Sequence, residues 1–175
     1  GLGDVYKRQI KNDSLIFELG REIGNEMKAL GLHMNFSPNA DIDVNEDFYP
    51  ATLRYFGDNK KRVAAKSIQF MKGLQSTGAI AIAKHLANPK KDRHLATKDS
   101  SVVFDANQID TVGFFPYQKL ITEGVGGIIT SHLDFVLLGK KKPVPAPISE
   151  LFLSGVIREK LNFDGLTLAE LPYLK

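Results

Sequence analysis

The sequence predicts an α/β fold in which short buried strands alternate with amphipathic helices. The clearest strand signal is the run 79–85, Ala-Ile-Ala-Ile-Ala-Lys-His, which is apolar on both faces until Lys84. Runs of this kind are typical of parallel sheets that are covered by helices. Further short strand-like runs lie at 32–36, 125–130 and 165–169. Because helical periodicity fills the segments between them, the chain should consist of parallel βαβ units.

The first helix is predicted over residues 15–30, and residues 12–14 offer several N-caps. Its apolar positions recur at helical spacing: Leu15, Leu19, Ile23, Met27 and Leu30. Gly31 should end the helix in the left-handed conformation that glycine adopts without strain. The strand at 32–36 follows directly.

A polar loop over 37–52 contains four carboxylates: Asp41, Asp43, Glu46 and Asp47. Such a cluster raises the question of a calcium site. The spacing lacks the glycine and the terminal glutamate of an EF-hand loop, however. The pattern therefore predicts a solvated loop.

A second helix should begin at Asp58 or Asn59, either of which can cap it. Its apolar face is expected to comprise Val63, Ser67, Phe70, Met71 and Leu74. Gly78 then turns the chain into the strand at 79–85. A polar loop over 87–101 should follow.

The third helix is predicted to begin at Asp105 or Asn107. Pro116 should kink or restart it, because proline removes a helical hydrogen bond. Ser149 should cap a fourth helix, whose apolar positions are Leu151, Phe152, Val156 and Leu161. Four strands in this alternation form either a small open sheet or half of a closed barrel, and the composition does not decide between them.

The composition excludes several classes of protein. Hydrophobic residues make up 43% and charged residues 25% of the 175 residues, which is typical of a folded globular domain. The net charge of +3 is scattered, and no basic face with stacking aromatic residues predicts a nucleic-acid partner. The chain has no cysteine, which excludes disulfides and thiolate metal sites, and nothing in it implies a metal or an organic cofactor. No apolar run approaches the ~18 residues of a membrane span, while the cellular compartment stays open.

Six short motifs stand in a specific order along the chain. They are Gly-Leu-His-Met-Asn-Phe-Ser-Pro-Asn-Ala-Asp at 31–41, Arg-Tyr-Phe-Gly at 54–57, Lys-Gly-Leu-Gln at 72–75, Ala-Lys-His at 83–85, Thr-Ser-His at 130–132 and Leu-Asn-Phe-Asp-Gly-Leu at 161–166. In these motifs the chain resembles the N-terminal domain of family 3 glycoside hydrolases, in particular the β-N-acetylhexosaminidase branch. The resemblance implies a (β/α)₈ TIM-type barrel, of which this chain would hold about four βα units. The opening strands of the barrel would then precede residue 12, as a missing N-terminal part of the same domain.

The domain boundaries follow from the same comparison. Residues 1–9, Gly-Leu-Gly-Asp-Val-Tyr-Lys-Arg-Gln, show no periodicity and do not lead into the first helix. We interpret them as a non-native leader of the kind that is set aside in fold assignment. Residues 10–175 are then a fragment of a single barrel domain.

The resemblance implies retaining hydrolysis of a terminal β-linked N-acetylglucosamine in peptidoglycan-type or chitin-type sugars. In this branch an aspartate attacks the anomeric carbon, and a histidine paired with an aspartate handles the proton of the leaving oxygen. The positions that match sugar-binding motifs are Arg54, Lys84, His85, His132 and Asp41. Cationic side chains suit this task because they donate hydrogen bonds to hydroxyls and to the acetamido carbonyl. Without the resemblance, Lys84 and His85 are equally well explained as the point where a strand meets water.

Two departures from the family pattern fall at the catalytic positions. The loop after Lys-His lacks the family's Phe-Pro-Gly-His-Gly-Asp-Thr and Asp-Ser-His segments, and its nearest equivalent is Asp92 and His94, a few residues early. These two form the catalytic pair if the loop is re-registered, and are otherwise part of an ordinary polar segment. The nucleophile motif Val-Thr-Asp-Ala becomes Leu-Ala-Glu-Leu at 168–171, so Glu170 stands where aspartate is expected. A carboxylate displaced by about 1 Å costs on the order of 10²-fold in rate.

The sequence thus supports a leading hypothesis and two alternatives. The leading one is a retaining glycoside hydrolase, and the first alternative is a catalytically degenerate sugar-binding or scaffold domain that keeps Arg54, Lys84 and His85. The second is an unrelated small α/β binding domain, which no Gly-rich phosphate loop supports. Because half a barrel leaves strand edges unpaired, we expect this chain alone to aggregate or to be molten.

Overall fold

A computed structural model of the chain describes residues 7–42, 55–86, 101–104, 113–131, 134–137 and 144–169. The α-helices of this part are α1 (Ser14–Ala29), α2 (Lys60–Gln75) and α3 (Phe115–Thr122), with a π-helix at Leu151–Lys160. The strands are β1 (Met34–Asn35), β2 (Ile80–Leu86), β3 (Ser101–Phe104), β4 (Gly127–Thr130), β5 (Asp134–Leu137), β6 (Val144–Pro145) and β7 (Leu166–Ala169). Short 3₁₀ helices lie at Lys7–Gln9 and Ala146–Ile148.

The main sheet has the strand order β1-β2-β4-β7, and all three of its pairings are parallel. Helix α2 connects β1 to β2, α3 lies between β2 and β4, and the π-helix precedes β7. The predicted α/β alternation is therefore confirmed. Neighbours in space are also neighbours in chain order, as in one arc of a (β/α)₈ barrel, whereas an open doubly wound sheet reverses its order at a switch point.

A second, three-stranded sheet was not predicted. Strands β3 and β5 pair in parallel, and β5 and β6 pair antiparallel. The sequence predicted a loop up to residue 101, which is wrong for Ser101 in β3, and it predicted no strand at β5 or β6. Runs of two to four residues carry too little periodicity for a strand to be recognised by pattern alone.

Helices α1 and α2 pack closely because glycines form their contact. A Cβ atom on Gly20 would overlap the carbonyl oxygen of Phe70, and one on Gly73 would overlap that of Phe17. The predicted bounds of α1 are confirmed, and Gly31 has the expected positive φ of 70°. Its predicted apolar face is partly wrong, however, because Leu15 and Leu30 are 55% and 75% exposed. The buried positions are Ile16, Gly20, Gly24 and Met27.

The prediction for α2 is confirmed in both its cap and its buried face. The Asn59 side chain accepts hydrogen bonds from the amides of Lys61 and Arg62, at 3.0 and 3.2 Å. This satisfies two amides that lack an intrahelical acceptor. All five of the positions predicted to face inward are buried: Val63, Ser67, Phe70, Met71 and Leu74.

The two C-terminal helices differ from expectation in detail. Helix α3 begins at Phe115 with Pro116 in its first turn, where proline is well tolerated. The predicted start at Asp105 or Asn107 lies outside the described residues. The fourth helix is a π-helix, and Phe152, Val156 and Ile157 are its buried residues. Its wider turn lets residues five apart face inward together, and Ser149 Oγ accepts from the amide of Phe152 at 3.3 Å.

Strand β1 is shorter than predicted and leaves one side open. It pairs with β2, and in the described part of the chain no strand pairs with its other edge. Leu32, Met34 and Phe36 around it are exposed. An exposed apolar edge of this kind is a hazard for self-association. The expected aggregation of the chain in isolation stays a prediction.

The start of the chain is attached to α2 by a buried lysine. Lys66 donates hydrogen bonds from Nζ to Asp13 Oδ1, at 2.7 Å, and to the carbonyl oxygen of Ile10. Residues 1–6 lie outside the described residues, and the interpretation of 1–9 as a leader stays a prediction. Across the described ranges, no helix has the length and apolar character needed to cross a bilayer.

Candidate functional site

The carboxyl ends of β2, β4 and β7 meet at one edge of the main sheet. Leu86 is in register with Thr130, which in turn is in register with Ala169. The amide of Ser131 donates to the carbonyl oxygen of Leu86 at 3.1 Å. We call this edge, defined by Leu86, Thr130 and Ala169, the strand-end rim. Residues at this end of the strands carry the active sites of barrel enzymes.

Lys84 and His85 lie near the carboxyl end of β2, directly before Leu86 of the rim. The chain that follows β1 runs beside them: Lys84 donates its amide to the carbonyl oxygen of Pro38 at 3.0 Å and accepts from the amide of Ala40 at 2.9 Å. The pairing of β2 with β4 shifts register between Lys84 and Leu86. The Lys84–His85 peptide bond is cis. The two backbone hydrogen bonds of Lys84 hold Pro38 and Ala40 beside β2, which brings Asp41 against His85.

Asp41 is the acceptor around which the site is organised. Its Oδ2 lies 3.0 Å from His85 Nδ1, and its Oδ1 accepts from the His85 amide at 3.1 Å and from the Tyr117 hydroxyl at 3.2 Å. A carboxylate that accepts several hydrogen bonds is stabilised in its ionised form despite burial. We call these residues the Tyr117–Asp41–His85 chain.

The solvated loop predicted for the acidic cluster is wrong for Asp41, which is only 5% exposed. The physical reason is its three donors, which replace the hydrogen bonds to water that burial removes. The other three carboxylates of that cluster lie outside the described residues. A direct contact between Asp41 and substrate stays a prediction.

Tyr117 was missed by the sequence analysis. It lies in the first turn of α3 and is fully buried. Burial raises the pKa of its hydroxyl well above 10, and the negative charge of Asp41 and the hydrogen bond to it act in the same direction. The hydroxyl therefore stays protonated and donates to the carboxylate. Its signal in the sequence was weak: a residue with a polar tip, three positions before the apolar Leu120, on the inward face of a predicted helix.

The hydrogen bond that the His85 ring donates to Asp41 fixes the role of that ring. An ionised carboxylate can only accept, so Nδ1 carries a hydrogen and Nε2 of the neutral ring is an acceptor. The His85 side chain is 23% exposed, so it is neither sealed in the core nor free in solvent. Lys84 is half-buried next to it and offers a cationic donor.

Three of the eight predicted site residues fall within the described part of the chain. The structure brings Asp41 and His85 into contact, with Lys84 adjacent to them in β2. The remaining five lie outside the described residues: Arg54, Asp92, His94, His132 and Glu170. Their roles stay predictions. In the described ranges no group of three or more histidine, aspartate or glutamate side chains could hold a metal ion.

Comparisons with known proteins agree on one family. The family model described as "Glycosyl hydrolase family 3 N terminal domain" matches residues 4–172. A curated "Beta-hexosaminidase" of Nitrosomonas eutropha is 29% identical over 172 residues, covering 94% of this chain and 47% of that protein. A "Beta-xylosidase" of Formosa agariphila is 26% identical over 165 residues, covering 89% of this chain and 22% of that protein.

A solved structure supports the same fold. The glycoside hydrolase family 3 β-N-acetylglucosaminidase from Paenibacillus sp. superposes with a TM-score of 0.78 at 25% identity, covering 95% of this chain and 32% of that one. The main sheet is therefore an arc of that family's barrel domain. The chain spans about half or less of the length of these relatives.

Proposed function

Because the chain belongs to glycosyl hydrolase family 3, we propose that the whole protein hydrolyses a terminal β-linked N-acetylglucosamine and retains the configuration at the anomeric carbon. The proposed substrates are peptidoglycan-type or chitin-type sugars. The names of the Nitrosomonas and Paenibacillus relatives support this choice of sugar. The name of the Formosa relative refers to a xyloside, so the choice has to be tested against other sugars.

The observation that carries the proposal is the position of His85 at the strand-end rim, oriented by the buried Asp41. A ring held in one orientation can accept a hydrogen bond from a sugar hydroxyl without first losing rotational freedom. Lys84 beside it supplies a donor for a hydroxyl or for the acetamido carbonyl. We propose that Arg54 and His132 complete the sugar contacts and that Asp41 acts mainly through His85.

Glu170 is the proposed nucleophile, and the register of the sheet supports it. Lys84, Ile129 and Leu168 are register partners, so their side chains share one face of the sheet. Period-two alternation predicts the same face for Glu170, two residues after Leu168. Since neighbouring strands lie about 4.8 Å apart, the ends of β2 and β7 are separated by roughly 10 Å, which leaves room for one sugar ring.

The proposed reaction has two steps. The Glu170 carboxylate attacks the anomeric carbon while the glycosidic bond breaks, and His94, oriented by Asp92, gives its proton to the leaving oxygen. The same histidine then takes a proton from water, which attacks the glycosyl ester and releases the sugar and the free carboxylate.

Turnover of a chromogenic β-N-acetylglucosaminide by the full-length protein tests this proposal. Glu170→Gln should reduce turnover by several orders of magnitude, because an amide cannot form the glycosyl ester. Glu159→Gln, which neutralises an exposed carboxylate on the π-helix, is the matched control and should keep full activity. A fluorinated glycoside that slows the second step should add one sugar mass, located on the peptide containing Glu170. Equal turnover of a chromogenic xyloside would overturn the choice of sugar.

The second candidate is a sugar-binding domain that has lost the reaction. Glutamate in place of the expected aspartate favours it, because the longer side chain displaces the carboxylate from the position that the family uses. Binding of N-acetylglucosamine that depends on Lys84 and His85, without turnover or covalent labelling, would select this candidate over the hydrolase.

A further inference from the structure

We propose that Tyr117 is a positioning residue: through Asp41, its hydroxyl holds the His85 ring in the orientation that receives the sugar. This inference rests on the proposed function only in assuming that His85 contacts a sugar. The geometry of the Tyr117–Asp41–His85 chain is independent of that assumption.

The two oxygens of the Asp41 carboxylate accept hydrogen bonds from different donors. Oδ2 faces His85 Nδ1, while Oδ1 accepts from the Tyr117 hydroxyl and from the His85 amide. Two donors on one oxygen and one on the other determine the plane of the carboxylate. The imidazole follows that plane, because its Nδ1–H has to point along an acceptor lone pair.

Tyr117 belongs to a different element from Asp41 and His85. Asp41 and His85 lie on neighbouring segments of the sheet, whereas Tyr117 lies in α3, 76 residues from Asp41. The phenol therefore ties the site to the helix layer. Without it, one of the hydrogen bonds that orient the carboxylate would be lost, and the carboxylate and the ring would be held less firmly.

In the hydrogen bond between Tyr117 and Asp41, the Tyr117 hydroxyl is the donor. Among the described residues, the titratable groups that act on the Tyr117 hydroxyl are Asp41, through the hydrogen bond, and the buried Tyr55. Both disfavour a phenolate, and so does burial itself. At neutral pH Tyr117 is thus the donor in its hydrogen bond to the Asp41 carboxylate.

The test is a double-mutant cycle in the full-length protein. Tyr117→Phe keeps the ring and removes only the hydroxyl, and Asp41→Asn keeps the shape and removes the charge. Because a hydrogen bond to a charged group is lost, Tyr117→Phe should weaken binding of N-acetylglucosamine about tenfold. If Tyr117 acts through Asp41, the double variant should bind no more weakly than Asp41→Asn alone. Additive losses would overturn the proposal.

A second readout does not require any sugar. In ¹⁵N spectra of the free protein, assigned through loss of signals in His85→Gln, the wild-type ring should show hydrogen on Nδ1. Tyr117→Phe should shift or broaden the His85 signals, while Ser67→Ala, which removes a buried hydroxyl in α2, should leave them unchanged. Unchanged His85 signals in Tyr117→Phe would overturn the positioning role even if the protein binds sugar. If Tyr117→Phe shifts or broadens the His85 signals but the wild-type protein neither binds nor hydrolyses N-acetylglucosamine, the proposed function would be overturned instead.

Discussion

The α1–α2 helix pair and the strand-end rim are held together by different kinds of contact. The two helices pack closely because Gly20 and Gly73 have no side chain, which lets each helix approach the backbone of the other. The site at the rim relies on polar groups that are far apart in sequence, since His85 and Tyr117 are 44 and 76 positions away from Asp41. We therefore expect the helix pair to govern the stability of the protein and the site at the rim to govern ligand binding.

The largest expected effect is on the helix pair. Gly73→Val should lower the free energy of unfolding by about 3 kcal/mol or more, because its side chain would overlap the Phe17 carbonyl oxygen and force the helices apart. The urea midpoint of the full-length protein measures this loss. Gly113→Ala is the control, since a Cβ there meets no atom of the described residues within 4 Å. Equal midpoints for the two variants would show that the close approach is not needed.

At the rim, a substitution should weaken ligand binding more than it lowers stability. Asp41→Ala removes the acceptor of three buried or half-buried donors, which are the His85 amide, His85 Nδ1–H and the Tyr117 hydroxyl. We expect a loss of about 1–3 kcal/mol in unfolding free energy, together with a loss of N-acetylglucosamine binding well above tenfold. Calorimetric titration beside urea unfolding checks both. If the variant is destabilised but binds normally, Asp41 belongs with the helix pair as a structural residue.

The same contrast explains how much the sequence could predict. Local signals predict the bounds of α1 to within one residue, the cap and buried face of α2, and the presence of the four main strands, because each segment carries these signals within itself. The buried face of α1 was only partly predicted, because it depends on the close contact that Gly20 of α1 and Gly73 of α2 allow. Asp41 looked like one of four loop carboxylates, since nothing in its neighbourhood reveals donors from two distant segments. Tyr117 was missed for the same reason.

Alkaline pH should lower the stability that Tyr117 contributes at the rim, while the contact between the two helices is unaffected. The pKa of Tyr117 is raised in the folded state, so the folded protein holds this proton more tightly than the unfolded chain does. The corresponding stability is fully present below about pH 10, the usual tyrosine pKa, and is lost as the pH rises toward the folded-state value. Wild type should therefore lose stability above about pH 10 more steeply than Tyr117→Phe, which has no such proton. Urea midpoints on either side of that pH test this, and parallel curves would contradict it.

The smallest expected effect is at Ser67, in the face of α2 that the apolar pattern predicted correctly. Its hydroxyl is fully buried and, among the described residues, has no hydrogen-bond partner. A buried polar group without a partner costs stability, so Ser67→Ala should leave the protein unchanged or stabilise it by up to about 1 kcal/mol. Differential urea unfolding at neutral pH resolves such a shift. A loss of more than about 1 kcal/mol would show that the hydroxyl does have a partner, and the helix pair would then depend on polar contacts as the rim does.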